Sequence, residues 1–237
     1  MIELRNLSKI FVLNGRRKVV TQNLNVIFPP HSTVAVLGQN GAGKTTLLQM
    51  ISGTMEPDSG EVIRHGSMSW PVGFAGSFHV ELTGLQNTRF IARVYGIDTD
   101  ELVDFVADFA ELGEHFNLPV RTYSSGMKSR LAFGVSMGIK FDTYLIDEVT
   151  AVGDAAFKKK SEQIFRERLR YSSAVMVTHS MPQVNRLADK VLVLNQGRAR
   201  FFENVKQGIA CHQHVMKGGA IEDIGDGSAV DLGDDEE

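Results

Sequence analysis

Gly38-Gln39-Asn40-Gly41-Ala42-Gly43-Lys44-Thr45 fits the pattern G-x-x-x-x-G-K-[ST]. The apolar run Thr33–Leu37 precedes it and TTLLQMISG (45–53) follows, so it joins a strand to a helix, the context this pattern needs. The chemistry is phosphate binding. Glycines let the backbone turn tightly with its N–H groups pointing inward, and the helix start adds unpaired donors and a positive dipole end. Lys44 can reach the β- and γ-phosphates, and Thr45 offers a hydroxyl to Mg²⁺. Gly38, Asn40, Gly41, Gly43, Lys44, Thr45 and Thr46 are the candidate nucleotide-binding residues of this segment.

A second chemical feature is the apolar run Tyr144-Leu145-Ile146 ending in Asp147-Glu148. The C-terminal edge of a parallel strand faces the ligand crevice. Asp147 is placed there to hold Mg²⁺ through water, which makes Thr45 and Asp147 the candidate metal ligands. Glu148 is placed to orient and deprotonate the attacking water in phosphoryl transfer. The expected cofactors are ATP and Mg²⁺.

Thr122-Tyr123-Ser124-Ser125-Gly126-Met127-Lys128-Ser129-Arg130 resembles the signature motif of ABC-type ATPases. Ser124, Gly126 and Arg130 match the common pattern, while Tyr123, Ser125 and Met127 stand where Leu, Gly and Gln are usual. Physically the segment is a helix start whose small residues expose backbone N–H groups to a phosphate. Thr150-Ala151-Val152-Gly153-Asp154 resembles the D-loop of the same family, with Val149 in place of the usual Pro. Val177-Thr178-His179-Ser180 resembles its switch-histidine segment, and His179 lies 31 residues beyond Glu148. The resemblance implies that His179 hydrogen-bonds the γ-phosphate and that Phe11 stacks on adenine.

The resemblance covers residues 1 to about 208. It implies an α/β fold of the P-loop NTPase class, an ABC-type nucleotide-binding domain. A central, mostly parallel sheet would carry an N-terminal antiparallel β subdomain and a helical subdomain inserted at about 84–138. It also implies a head-to-tail dimer with a second copy that sandwiches ATP. Lys44, Thr45, Asp147, Glu148 and His179 of one copy would face Ser124 and Gly126 of the other. Lys44, Glu148 and His179 would be the catalytic residues, with Asp154 beside the nucleotide.

Within the family, several stretches resemble the ATPase of capsular polysaccharide exporters of Gram-negative bacteria. They are Ser69-Trp70-Pro71, Leu82-Thr83-Gly84 with Asn87, Arg89-Phe90-Ile91, YSSGMKSRLAFGVSM (123–137) and YLIDEVTAVGDAAF (144–157). The implied partners are integral membrane permease subunits and a periplasm-spanning export protein. The implied place is the cytoplasmic face of the inner membrane. ABC ATPases usually carry a glutamine near Val72–His79, and VGFAGSFH has none. Trp70 and residues 72–84 are assigned to the surface that couples to the permease, or Trp70, Phe74 and Phe78 fill the gap between subdomains, or both. No room is left after residue 210 for the carbohydrate-binding domain of the longer O-antigen exporters. Nor does the chain carry the coiled-coil insertions or tandem ATPase domains usual in soluble ABC ATPases.

The elements that must position these residues follow from patterning. Val19–Phe28 reads as a strand ended by Pro29-Pro30, and Gly53 closes the helix after the phosphate loop. LQNTRFIARVYG and DTDELVDFVADFAELG carry apolar residues at helical spacing, with Asp98 and Asp100 as candidate caps. FKKKSEQIFRERLR (157–170) reads as a helix between the strands Thr143–Ile146 and Ala174–Thr178. A further strand at Val191–Leu194 turns at Gly197 toward Phe201-Phe202. Cys211, His212 and His214 lack a supporting fourth ligand and read as a loop or fraying helix rather than a metal site.

Composition bounds the rest. The 237 residues carry one cysteine, so an internal disulfide is excluded. MIELRNLSKIF does not read as a signal peptide, and no apolar run approaches the roughly 20 residues of a membrane helix. The formal charge of −3 is uneven: Gly218–Glu237 holds eight acids and no bases, which leaves 20 acids against 25 bases, or +5, in residues 1–217. Residues 1–217 are expected to form the ATPase domain and 218–237 a solvated, disordered tail. No basic stretch is interleaved with aromatics, so nucleic acid is not an expected partner.

Overall fold

Thr33–Gly38 forms a strand in which every residue is buried. An unbroken apolar run of this kind needs cover on both faces, and parallel neighbours flanked by helices supply it. The computed structural model of the chain describes residues 1–13, 15–73, 76, 78–147, 155–225 and 228–229. In chain order the strands are β1 (Ile2–Leu13), β2 (Arg16–Phe28), β3 (Thr33–Gly38), β4 (Ser59–Arg64), β5 (Met68–Pro71), β6 (Thr143–Asp147), β7 (Ser173–Val177), β8 (Lys190–Asn195), β9 (Arg198–Phe202) and β10 (Ser228–Ala229). The helices are α1 (Lys44–Ser52), α2 (Gly84–Val94), α3 (Thr99–Ala110), α4 (Ser125–Gly138), α5 (Ala155–Leu169), α6 (Met181–Leu187) and α7 (Val205–Met216). They group into two units, one of Met1–Met68, Asp142–Glu148 and Tyr171–Glu237, the other of Ser69–Phe141 and Val149–Arg170. No helix among the described residues is long and apolar enough to cross a membrane.

In the first unit the strands lie in the order β10-β9-β8-β3-β7-β6. β3 runs parallel to β7 and β8, β6 runs parallel to β7, and β9 is antiparallel to β8. The C-terminal ends of β3, β6 and β7 therefore open on one edge. A second sheet, in the order β2-β1-β4, is antiparallel. Its β1–β2 ladder shifts register three times, and Asn6 and Asn23 adopt positive φ of 48° and 49° near the irregularities. Asparagine tolerates that conformation because its short side chain bonds locally. Here the Asn6 N–H donates to the Asn25 side chain at 2.7 Å.

β2 begins at Arg16, three residues before the strand expected from apolar content. The basic run Arg16–Lys18 joins it because the ladder to β1 continues, with Phe11 opposite Lys18 and Leu13 opposite Arg16. Leu4, Leu7, Leu24 and Phe28 of the antiparallel sheet share one core with Val34, Leu47, Leu48, Ile51, Leu145 and Val175. Each such side chain contributes roughly 1.5–3 kcal/mol on full burial, so this shared core fixes the antiparallel sheet over β3 and α1.

The described part of the acidic end, 218–225 and 228–229, packs on the body. It does not leave the body at Gly218. Ile221 is buried within a short 3₁₀ turn, Ile221–Asp223. Glu222 pairs with Arg198, Asp223 meets His214 Nε2 at 2.7 Å, and β10 adds to the edge of β9. Acids that look solvated in sequence find bases here, and the lone Ile221 finds a core. Residues 230–237 lie outside the described residues. Of the loop and the fraying helix expected around Cys211 and His212, the structure has a helix: both are buried on α7, which the Asn204 side chain caps.

In the second unit, the starts of α2, α3 and α4 are each capped by a side chain. Thr83 and Gln86 form a reciprocal capping box on α2, and Ser124 caps α4. Asp98 alone caps α3, accepting from the N–H groups of Asp100 and Glu101; Asp100 lies inside the first turn, where its charge favours the helix dipole. Gly138 packs α4 so close to α3 that a methyl there would overlap Leu102. Trp70 packs on Tyr95 and Phe141 at centroid distances of 5.2 and 5.7 Å, and Phe78 is buried. Phe74 lies outside the described residues.

Asn87 is the polar hub of this unit and is 2% exposed. Its side chain accepts from the His79 N–H at 2.8 Å and donates to the carbonyls of His79, Leu82 and Thr83 at 3.0–3.3 Å. Removing it strands several loop groups away from water. Asn87→Ala should lower stability by about 2 kcal/mol, read as a drop in the urea midpoint with an unchanged slope.

Candidate nucleotide site

β3 ends at Gly38, and the loop to α1 turns through a hydrogen bond from the Ala42 N–H to the Gln39 carbonyl at 3.1 Å. The turn leads into Gly43, the helix cap, at φ 101°. An L side chain is strained there. A methyl on Gly43 would also overlap Val20 Cγ1 of β2. Glycine is therefore required twice, by conformation and by contact. No side chain caps α1, and its first turn holds no acid. Its leading N–H groups are left to bind an anion.

A cavity of about 320 Å³ lies over this helix start. Asn40, Gly41, Gly43, Lys44, Thr45 and Thr46 form its floor, Phe11, Lys18 and Val20 one wall, and Asp147, Val177 and His179 the other. Gly38 lies just beneath, packed so tightly on β8 that a methyl would overlap the Leu194 carbonyl. The Lys44 side chain is buried, and its ammonium donates to the carbonyls of Gly38 and Gln39 at 2.8 and 3.0 Å. This holds a cation at the floor, where a triphosphate's charge would fall.

Asp147 arrives at the cavity because it is the last residue of β6, opposite Val177 in the ladder to β7. His179 follows β7 directly. Its backbone is fixed by the start of α6: the Thr178 hydroxyl donates to the Gln183 side chain at 2.8 Å and accepts from the Ser180 N–H at 3.1 Å. The carboxylate and the imidazole thus face the phosphate floor from adjacent strand ends.

α7 braces the loop from below. Gln39 donates through Nε2 to the Val215 carbonyl at 3.0 Å. His212, one turn earlier, is 8% exposed, and its Nδ1 has no hydrogen-bond partner among the described residues. Burial holds its pKa below the usual histidine range, and the nearby charges of Lys44 and His179 lower it further. A neutral ring there avoids adding positive charge beside Lys44.

Of the residues singled out in the sequence, Phe11, Asn40, Gly41, Gly43, Lys44, Thr45, Thr46, Asp147 and His179 meet at this cavity. Ser124 and Gly126 do not line it. They begin α4 in the other unit, where the Ser124 hydroxyl accepts from the Met127 N–H at 3.2 Å. Glu148 and Asp154 lie outside the described residues. Sequence reading gives no site role to Lys18 or Val20 and weighs His212 only as a metal ligand. Lys18 and Val20 reach the cavity through strand pairing, and His212 comes near Lys44 on α7 without lining the cavity.

Comparison with known proteins places these features in context. The family described as ABC transporter matches residues 21–151. The polysialic acid transport ATP-binding protein KpsT of Escherichia coli is 50% identical over 213 residues, spanning 89% of this chain and 97% of that protein. The capsule polysaccharide export ATP-binding protein CtrD of Neisseria meningitidis serogroup B is 40% identical over 205 residues, spanning 86% and 95%. Among solved structures, the dimeric post-hydrolysis state of the ATP-binding cassette MJ0796 bound to ADP and Pi aligns with a TM-score of 0.71. It covers 83% of this chain and 95% of that one at 21% identity, a likeness of fold.

Two outcomes test this geometry. Gly43→Ala should weaken nucleotide binding more than about ten-fold, because strain and the Val20 overlap must displace the loop; titration calorimetry with ATP reads this directly. His212 has a lowered folded pKa, so its contribution is present above the unfolded value of about 6.5 and is lost as pH falls through it. His212→Leu should therefore flatten the loss of thermal stability on acidification from about pH 7 to pH 5.

Proposed function

As the chain belongs to the ABC transporter family, we propose that it powers export of capsular polysaccharide across the inner membrane through a separate permease. The chain is an ATPase of the ABC type. The observation that carries the export reading is its likeness to KpsT over nearly the whole of that protein. The cavity supports the enzymatic part: a phosphate floor, a fixed lysine, a carboxylate and an imidazole converge there.

The roles follow from chemistry. Phe11 offers a ring for the base at one end of the cavity, while Lys44 and the N–H groups of Gly41–Thr45 take the phosphates. Thr45 and Asp147 present hard oxygen donors suited to Mg²⁺, which when bound would offset charge on the β- and γ-phosphates. His179 orients the γ-phosphate. Glu148, directly after Asp147, takes the proton of the attacking water.

The signature segment acts in a second copy. Around Gly126 an added methyl would meet nothing nearer than Ser124 Oγ at 3.9 Å, which leaves room for another molecule at that helix start. ATP would be closed between two copies and the pair reopened by hydrolysis, a ligand-driven shift between two states. Asp154 would lie at that junction. The permease subunits would hold the dimer at the cytoplasmic face of the inner membrane, with a periplasm-spanning protein beyond. Trp70 and residues 72–84 are our candidates for the surface that reads the permease.

Two measurements check this. Glu148→Gln should lower ATP hydrolysis about a hundred-fold or more while ATP-dependent dimers accumulate in light scattering; unchanged hydrolysis removes Glu148 from the base role. In a capsulated strain lacking its own export ATPase, the chain should restore surface polysaccharide and Lys44→Ala should not. Recovery from native membranes with ribosomes or DNA, in place of a small polytopic permease, would sink the export reading.

A further inference from the structure

Lys18 belongs to none of the motifs that build the phosphate site, yet it lines the same cavity. The ladder between β1 and β2 sets it directly opposite Phe11. Residues 18 and 20 share one face of β2 by strand alternation, and both meet the phosphate loop. A methyl on Gly43 would overlap Val20, and a methyl on Gly41 would come within 3.3 Å of the Lys18 ammonium. The charge of Lys18 therefore sits directly over the loop backbone. Val19, between them, packs against Gly197 instead, and Arg17, next to Lys18, falls on the other face by the same alternation.

The electrostatics of this placement are unbalanced. Among the described residues Lys18 makes no ion pair and no side-chain hydrogen bond. Lys9, on the neighbouring strand, is by contrast matched by Asp58 at 2.7 Å. Lys18 stands close to a second cation, Lys44, and to the uncapped positive end of α1. Lys18, without an acid partner among the described residues and beside the uncapped start of a helix, favours the entry of a polyanion. Among the described residues Asp147 is the one carboxylate lining the cavity.

We propose that Lys18 is a second phosphate-binding cation of the nucleotide site, holding the end of the phosphate chain nearest the sugar. This rests on the nucleotide reading of the cavity. Lys44 holds the chain from the floor, at its terminal phosphates. Lys18 holds it from the β2 wall, opposite the ring that takes the base, so that base and phosphates are gripped by paired residues of one ladder. Its role is in affinity and placement and not in breaking the terminal bond.

The test compares the purified full chain with Lys18→Ala, Lys18→Arg and Arg17→Ala, titrated with ATP, ADP and adenosine. Lys18→Ala should bind ATP and ADP about five-fold more weakly, the scale of one partly exposed charge-assisted bond. Adenosine binding should not change. The salt dependence of ATP binding should become shallower, and the hydrolysis defect should fall on KM more than on kcat. Lys18→Arg should restore most of the affinity, and Arg17→Ala should match the wild type. Wild-type ATP affinity in Lys18→Ala, an equal loss in Arg17→Ala, or a fall confined to kcat would overturn the proposal. Failure of the wild type itself to bind ATP is a separate result and would sink the nucleotide reading with it.

Discussion

The approach of β2 to the phosphate loop sets the geometry of the whole cleft. At Gly43 the Val20 side chain comes so close to the loop that a methyl there would overlap its Cγ1. Because Val20 closes that side, the loop has to turn its N–H groups toward the cavity. The contact is not held by itself. β2 is fixed through Leu24, Val26 and Phe28, which share a core with Leu47, Leu48 and Ile51 of α1. Apolar burial far from any nucleotide thus holds the backbone donors in place, which is how a rigid scaffold supports polar chemistry at its edge.

Parallel pairing does the same work on the other wall. Asp147 and His179 are 32 positions apart in the chain. They meet the phosphate floor because β6, β7 and β3 run in one direction and end at one edge. A local device then sets the imidazole: Thr178 and Gln183 tie the strand end to the first turn of α6. Below the loop, α7 holds Gln39 by a single hydrogen bond and buries His212 as a neutral ring. The charges near the floor are thereby kept to those a polyanion can answer.

Charge is distributed with the same economy at the chain's end. The acidic segment begins by pairing Glu222 with Arg198 and Asp223 with His214, and the last described strand covers the edge of β9. An exposed edge strand is an aggregation hazard, and a short paired strand blunts it. Composition alone points to a solvated tail, because it averages over residues. It misses Ile221, one apolar side chain with a buried place to go.

Local chemistry was legible in the amino-acid sequence. The phosphate loop, the acid after β6, the histidine after β7, the cap Asp98 and the helix start at Ser124 are each written in a few neighbouring residues, because their hydrogen bonds are local. The strand β3 was legible because a fully covered strand needs an unbroken apolar run. Lys18, Val20, His212 and the bonds of Asn87 were not. Lys18 reaches the cavity through a cross-strand register with Phe11, and His212 comes near Lys44 on a helix that begins more than 160 residues after it. Register and helix packing are settled by the burial of side chains distant in sequence, and no short pattern records them. The sequence by itself determined which groups could bind phosphate. Only the tertiary structure decided which further side chains stand over and under them.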